Sequence, residues 1–307
     1  MRYKFLILIW GLIFVLFFQN CNQAPKKESV TRFTNPDAKF VVDESFRPIV
    51  DEELYIFRAL YPSFHPTVLY KTENDGINLL LDDSVRLAVI ARGLTAEENK
   101  ILSSHNLKPI IDRFAIDAVS LIVNEASNDT NIKVSEIKKM LNGNAKQDKN
   151  IVFDNPSSGL VYYLKKFSGN NDFKQKNIYA LKSNKEVIKY VSEHVNAIGI
   201  TDFSWLNDPD KDYADAVQKV KIMSVCDDGS KEFSGQYFSP SQNTLALKQY
   251  PLTRNLYMYN FTGNFGLGME FASFLISDRG QRIILKSGLL PDDIPPRMIN
   301  IIQKLKQ

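Results

Sequence analysis

The sequence predicts an α/β fold with largely parallel sheets, on three observations. From residue 39 onward, short β-like runs alternate with stretches of helical periodicity. Polar clusters stand where strands hand over to helices. No segment repeats at a fixed period, which excludes solenoids and arrays.

The elements follow in order. Residues 39–42 read as a strand. Pro48 suits the first turn of a helix in which Ile49, Leu54, Phe57, Leu60 and Tyr61 recur at near-helical spacing up to Pro62. A strand over 67–71 and a helix over 75–81 come next, then a strand over 86–91. Thr95 with Glu98 three residues later is a capping box opening another helix. Strands are predicted over 108–114, 119–124 and 151–153, with a helix over 134–141 closed by Asn142-Gly143. A helix starts near Ser157 or Ser158, and another covers 184–194. Strands at 197–200, 219–225 and 256–259 and helices at 269–276 and 279–286 complete the alternation. The polar stretches 124–131 and 168–176 read as exposed loops.

Length and charge bound the possibilities. At about 100–200 residues per domain, 307 residues suit two domains. Hydrophobic residues at 44% and charged ones at 24% are ordinary globular usage, which excludes wholesale disorder. The formal net charge is +3, and it falls to +1 without the first twenty residues, which hold Arg2 and Lys4 and no acid. Counterion-driven nucleic-acid binding demands a basic excess, so nucleic acid is not an expected partner. A local basic site for a small anion stays open.

The N-terminus reads as an export address. A short basic start, fourteen apolar residues over 5–18 and then Cys21 give a signal peptide over 1–20; a membrane span needs about 20 apolar residues. A single membrane anchor is the alternative. Cys21 resembles the acylated cysteine of bacterial lipoproteins, although Asn20 and Phe18 depart from the small residue and the leucine usual at those positions. Residues 21–38 would be the lipidated tether. Cys226 then has no obvious partner; a Cys21–Cys226 bridge is the rival arrangement.

Catalytic motifs are sparse. His65, His105 and His194 lie outside any metal-ligand spacing, so no metal and no cofactor is expected. Neither a GxSxG elbow nor a phosphate loop appears. Gly263, Gly266 and Gly268 miss the dinucleotide spacing and read as a turn that lets the next helix pack. What remains lies at strand ends: Asp43-Glu44-Ser45, Thr72-Glu73-Asn74, Ala91-Arg92-Gly93, and Asp154-Asn155-Pro156-Ser157-Ser158-Gly159. In open α/β sheets the carboxyl ends of strands face the ligand crevice, and helix starts there suit an oxyanion. Each cluster alone is ordinary capping; several together make an anion site.

Asp43-Glu44-Ser45-Phe46, Tyr61-Pro62, Ala91-Arg92-Gly93-Leu94-Thr95 with Glu98, and Ala115-Ile116-Asp117-Ala118 resemble a known family. So do Ser135-Glu136-Ile137, Leu141-Asn142-Gly143, Ser157-Ser158, Ala197-Ile198-Gly199-Ile200, Tyr250-Pro251-Leu252-Thr253-Arg254 and Gly288-Leu289-Leu290-Pro291. Their order and spacing are similar to those of the phosphate-binding proteins that serve ABC importers, in the lipoprotein branch. The resemblance implies a type 2 periplasmic-binding-protein fold: two α/β lobes, a ligand cleft and two crossovers. Lobe 1 would combine 39–117 with 250–307, and lobe 2 would span 118–249. Ligand contacts carried over by the resemblance fall on Glu44, Ser45, Phe46, Thr72, Glu73, Arg92, Asn155, Ser157 and Ser158. The family's Arg-x-x-Gly-Ser-Gly-Thr loop has no arginine here, which leaves Arg92 as the only expected guanidinium.

Such a site separates phosphate from sulfate by its proton. A buried carboxylate accepts it and leaves sulfate facing an unpaired like charge; Glu44 or Glu73, or else Asp43, could play that part. The resemblance thus implies a monomeric, lipid-anchored, non-enzymatic receptor on the periplasmic side of a membrane, which passes inorganic phosphate to an ABC importer permease. The same fold holding another oxyanion or a small phosphorylated solute is the alternative. A secreted phosphoester hydrolase or a scaffold lipoprotein are the rivals of another class.

Overall fold

The chain alternates as the pattern dictates, and a computed structural model describes residues 39–144, 148–263 and 266–295. The signal peptide, the tether and Cys21 lie outside the described residues. In chain order, β1 (Lys39–Asp43) turns through a 3-10 segment (Glu44–Phe46) into α1 (Arg47–Leu60). Then come β2 (Thr67–Lys71), α2 (Glu73–Leu81), β3 (Leu87–Ile90), α3 (Ala96–Ser104) and β4 (Ile110–Asn124). β5 (Asn131–Lys133), α4 (Val134–Leu141), β6 (Asn150–Phe153), α5 (Gly159–Ser168), β7 (Ile178–Ala180), α6 (Asn184–Glu193) and β8 (Ala197–Asp202) follow. Two short helices, α7 (Ser204–Asn207) and α8 (Ala214–Gln218), lead to β9 (Val220–Ile222) and β10 (Ser224–Cys226). The rest is α9 (Gln242–Ala246), β11 (Thr253–Asn260), α10 (Leu267–Leu275), α11 (Asp278–Lys286) and β12 (Leu290–Pro291).

The strands form one sheet in the order β2-β1-β3-β11-β4-β8-β6-β7, with β12 and β9 added against β4; β5 and β10 pair separately. The sheet is mixed, which corrects the expectation of largely parallel pairing. β1 pairs in parallel with β2 and β3, and β6 with β7 and β8. β11 runs antiparallel to both β3 and β4, and β4 antiparallel to β8 and β9. The late strand β11 enters between two early strands, an insertion no local pattern announces.

A second correction concerns 108–114 and 119–124, predicted as two strands. They are one, β4, fifteen residues long. Asp117 breaks the apolar run in the sequence, yet it is wholly buried, with its Oδ1 accepting from the Ala118 amide at 2.8 Å. Conversely, the single strand predicted at 219–225 divides at Met223 into β9 on β4 and β10 on β5.

β4 joins two cores. One is built from residues between Ala118 and Leu252, closed by Leu290. On the other side, Phe40 to Phe114 combine with the late residues Leu256 to Leu289, with a flanking cluster that packs helices α2 and α3 on the same strands. The chain returns from the first core beside Tyr250, whose hydroxyl donates to the Val119 carbonyl at 2.7 Å. Within the first core, Gly199 on β8 lies under α6: a Cβ there would sit 2.7 Å from Val191 and 2.8 Å from Ile122. Gly199→Ala is therefore expected to cost about 1–3 kcal/mol by overpacking, read as a lowered urea midpoint with an unchanged slope. An unshifted midpoint would mean that helix and strand can part freely.

Candidate functional site

The strand ends converge on a buried polar cluster between the two cores. β1 is apolar through Val42 and then ends on Asp43, which is buried. Its Oδ1 accepts from the Ser45 amide at 3.1 Å and so caps the 3-10 turn. Ser45 is fully buried, and its hydroxyl has no hydrogen-bond partner. Its carbonyl accepts from Trp205 Nε1 at 2.7 Å, a link to α7 across the two cores. Phe46 is fully buried, with the Arg254 guanidinium 4.9 Å over its ring. Glu44 is half-buried and its Oε1 is unpartnered; burial, and then Asp43, push its carboxyl above the usual range.

Thr72 and Glu73 part company. Thr72 caps α2 by accepting from the Asp75 amide at 3.3 Å and donates to Asp75 Oδ2 at 2.8 Å, so its polar atom serves its own helix. Glu73 points into the cluster instead. Its Oε2 accepts from the Ala91 amide at 2.9 Å, and Arg92 Nε lies 3.3 Å from its Oε1. Burial, with Asp43 adding to it, raises Glu73 to about 7, against the opposing pull of the Ala91 amide and Arg92.

Arg92 is tied to protein carboxylates. Its two terminal nitrogens reach Glu98 Oε2 and Oε1 at 2.8 and 2.7 Å, and its guanidinium lies 4.9 Å over the Tyr162 ring. Glu98 simultaneously completes the predicted capping box with Thr95. Arg92 thus borders the cluster with its fork closed on Glu98.

The loop after β6 splits in the same way. Asn155 accepts from the Ser157 amide at 2.9 Å, and Ser157 is exposed; both shape the turn. Ser158 is buried, caps α5 by accepting from the Val161 amide at 3.1 Å, and donates to Asp154 Oδ1 at 2.6 Å. Asp154 is raised to about 7, chiefly by burial and with Asp43 adding, against the Ser158 hydroxyl. Of the nine predicted contacts, Ser45, Phe46, Glu73, Arg92 and Ser158 meet at or beside the cluster. Glu44 borders it, and Thr72, Asn155 and Ser157 act as turn and cap residues.

One expectation is corrected outright: Arg92 is not the only guanidinium. Arg254 on β11 is almost fully buried and pairs through Nη2 with Asp202 Oδ1, with Asp117 Oδ2 at 4.0 Å. Its Nε and Nη1 have no hydrogen-bond partner. Asp202, Asp117, Asp43 and Glu73 hold it firmly charged against the cost of burial. Asp117 is raised to about 6 and Asp202 is also raised, burial leading in both. Asp43, Glu73, Asp117, Asp154 and Asp202 therefore outnumber the cations beside them, and burial raises all five carboxyls. Asn184 extends it, accepting from Thr201 Oγ1 at 2.7 Å. Sequence reading missed Arg254 as a site residue although its motif was in plain view, because a charge at the start of an apolar strand carries no local signal.

Two cores joined by strands enclose a cluster of buried polar atoms, several of them without a hydrogen-bond partner. Among the described residues no group of three His, Cys, Asp or Glu is arranged to hold a metal ion. A family model described as a PBP superfamily domain matches residues 31–279, and the chain belongs to that superfamily of periplasmic-binding-protein folds. It is 26% identical over 261 residues to the "Phosphate-binding protein PstS" of Borreliella burgdorferi, covering 79% of this chain and 85% of that protein. A Clostridium perfringens substrate-binding protein crystallised with phosphate bound has a TM-score of 0.68 at 19% identity, over 84% of this chain and 100% of that one. An ABC-type phosphate transport receptor from Vibrio cholerae gives 0.62 at 20%, over 83% and 99%. The fold is that of a type 2 periplasmic binding protein, as the resemblance implied.

Proposed function

We propose that the chain is an extracytoplasmic, non-enzymatic solute receptor that encloses inorganic phosphate between its two lobes and passes it to an ABC importer. The observation that carries this reading is the convergence of Ser45, Glu73 and the Ser158-capped start of α5 on one buried cluster between the cores. The curated relative's phosphate ligand supports the choice of solute. Carboxyls that titrate near neutral pH suit an anion that itself carries a proton, since one proton can be shared between them. The lobes meet at 117/118 and 249/250, and Cys21 carries the lipid that holds the receptor to a membrane. No helix among the described residues is long and apolar enough to cross a membrane; the proposed attachment rests on the N-terminal address alone.

Calorimetry with phosphate, sulfate and molybdate tests the reading. Heat with phosphate, and a much weaker response to sulfate, is expected from folded protein; no heat with phosphate retires it. Arg92→Ala removes the cation beside Glu73 and is expected to weaken phosphate by about 1.5–3 kcal/mol, the range for a charged partner. An unchanged affinity would take Arg92 out of the site.

A further inference from the structure

We propose that the Asp43 carboxylate is a tethered anion: it occupies the place at the start of α5 where a bound solute would sit, holds the two halves together in the solute-free protein, and must be displaced for a solute to enter. The proposal rests on the reading of this cleft as the solute site.

The geometry is specific. Asp43 ends β1, on one core, while Gly159 begins α5, on the other. A Cβ at Gly159 would sit 2.4 Å from Asp43 Oδ2 and 2.9 Å from Glu73 Oε2, so only glycine lets the helix start approach these carboxyls. Burial is the largest influence on the Asp43 carboxyl and raises it above its usual range, against the pull of Arg254 and, more weakly, of Ser45 and the Gly159 amide. A helix start offers unpaired N–H groups and the positive end of a dipole, and here the nearest anion is the protein's own side chain.

A second, independent observation comes from the unpartnered atoms. Asp43 Oδ2 is buried without a well-formed hydrogen bond, and two Arg254 nitrogens are buried with none. A structural carboxylate with no other duty would be expected to have its lone pairs filled, because a buried polar atom left without a partner forfeits its hydration uncompensated. Atoms left unfilled around a carboxylate at a helix start are what remains when a side chain with two oxygens stands in for a ligand with four. Glu73 packs beside it, with its Oε2 against the same helix start.

The full chain in detergent, free of added solute, is compared by hydrogen exchange with Asp43→Asn and Gly159→Ala. Asn keeps the cap on Ser45 while losing the charge; Ala drives the carboxylate off the helix start by volume. Both are expected to speed exchange in segments 43–47 and 157–161 about tenfold or more and to leave 119–123 unchanged. In parallel, Asp43→Asn is expected to bind inorganic phosphate at least about tenfold tighter than the parent at pH 7.5. If Asp43→Asn does not fold, Gly159→Ala carries the exchange test. Faster exchange in the variants with no phosphate binding by any of them supports the tethered anion and sinks phosphate as the solute. Phosphate binding of equal strength in parent and variants, with exchange unchanged, overturns the tethered anion and leaves the phosphate reading standing.

Discussion

Replacing Arg254 by methionine is expected to cost about 3–5 kcal/mol of folding stability, the range for removing one partner of a buried ion pair. The side chain is almost fully buried, and Asp202 and Asp117 flank its guanidinium. Methionine retains much of the stem's bulk, so the loss falls on the carboxylates left without a cation rather than on packing. Those groups join three parts of the fold: Asp117 lies in β4, Asp202 ends β8 and Arg254 begins β11. The ion pair therefore sits where the chain passes between the two cores. Urea unfolding at pH 7.5 measures the effect. Adding Asp202→Asn and Asp117→Asn to the methionine variant should recover much of it, because the uncompensated charges are gone. A loss below about 1 kcal/mol in the single variant would mean that water reaches these carboxylates and that the cluster is not sealed.

The sequence made some of this site legible and hid the rest for physical reasons. Capping chemistry is local, so Thr95 with Glu98, and a helix start near Ser158, could be placed from spacing alone. Strand ends could be found wherever an apolar run stops at a polar residue, which located Asp43, Glu73 and Asp154. Which of those polar atoms turn inward is decided by tertiary approach. Thr72 and Glu73 are adjacent, yet one caps its own helix and the other faces Ala91 and Arg92. Asp117 and Arg254 are invisible as a pair because they are far apart in sequence and meet only through the antiparallel register of β11 on β4. The same insertion explains why strand–helix alternation suggested parallel pairing while the sheet is mixed.

Folding stability is expected to fall as the pH rises from about 5 to about 8, the reverse of the acid sensitivity that salt-bridged carboxylates give. Glu73 and Asp154 are raised to about 7 and Asp117 to about 6, burial being the first cause in each. Each of these groups binds its proton more tightly in the folded state than in the unfolded chain. Their contribution is therefore fully present below the ordinary carboxyl range and is lost as the pH climbs through 6 to 7. One pKa unit corresponds to about 1.36 kcal/mol per group, so Glu73 alone, moved from 4.5 to about 7, represents about 3 kcal/mol. Urea midpoints at pH 5, 6.5 and 8 follow the trend, and Asp154→Asn should flatten it by removing one titrating group. A midpoint that is level or rises over that interval would show the cluster hydrated and its protons ordinary.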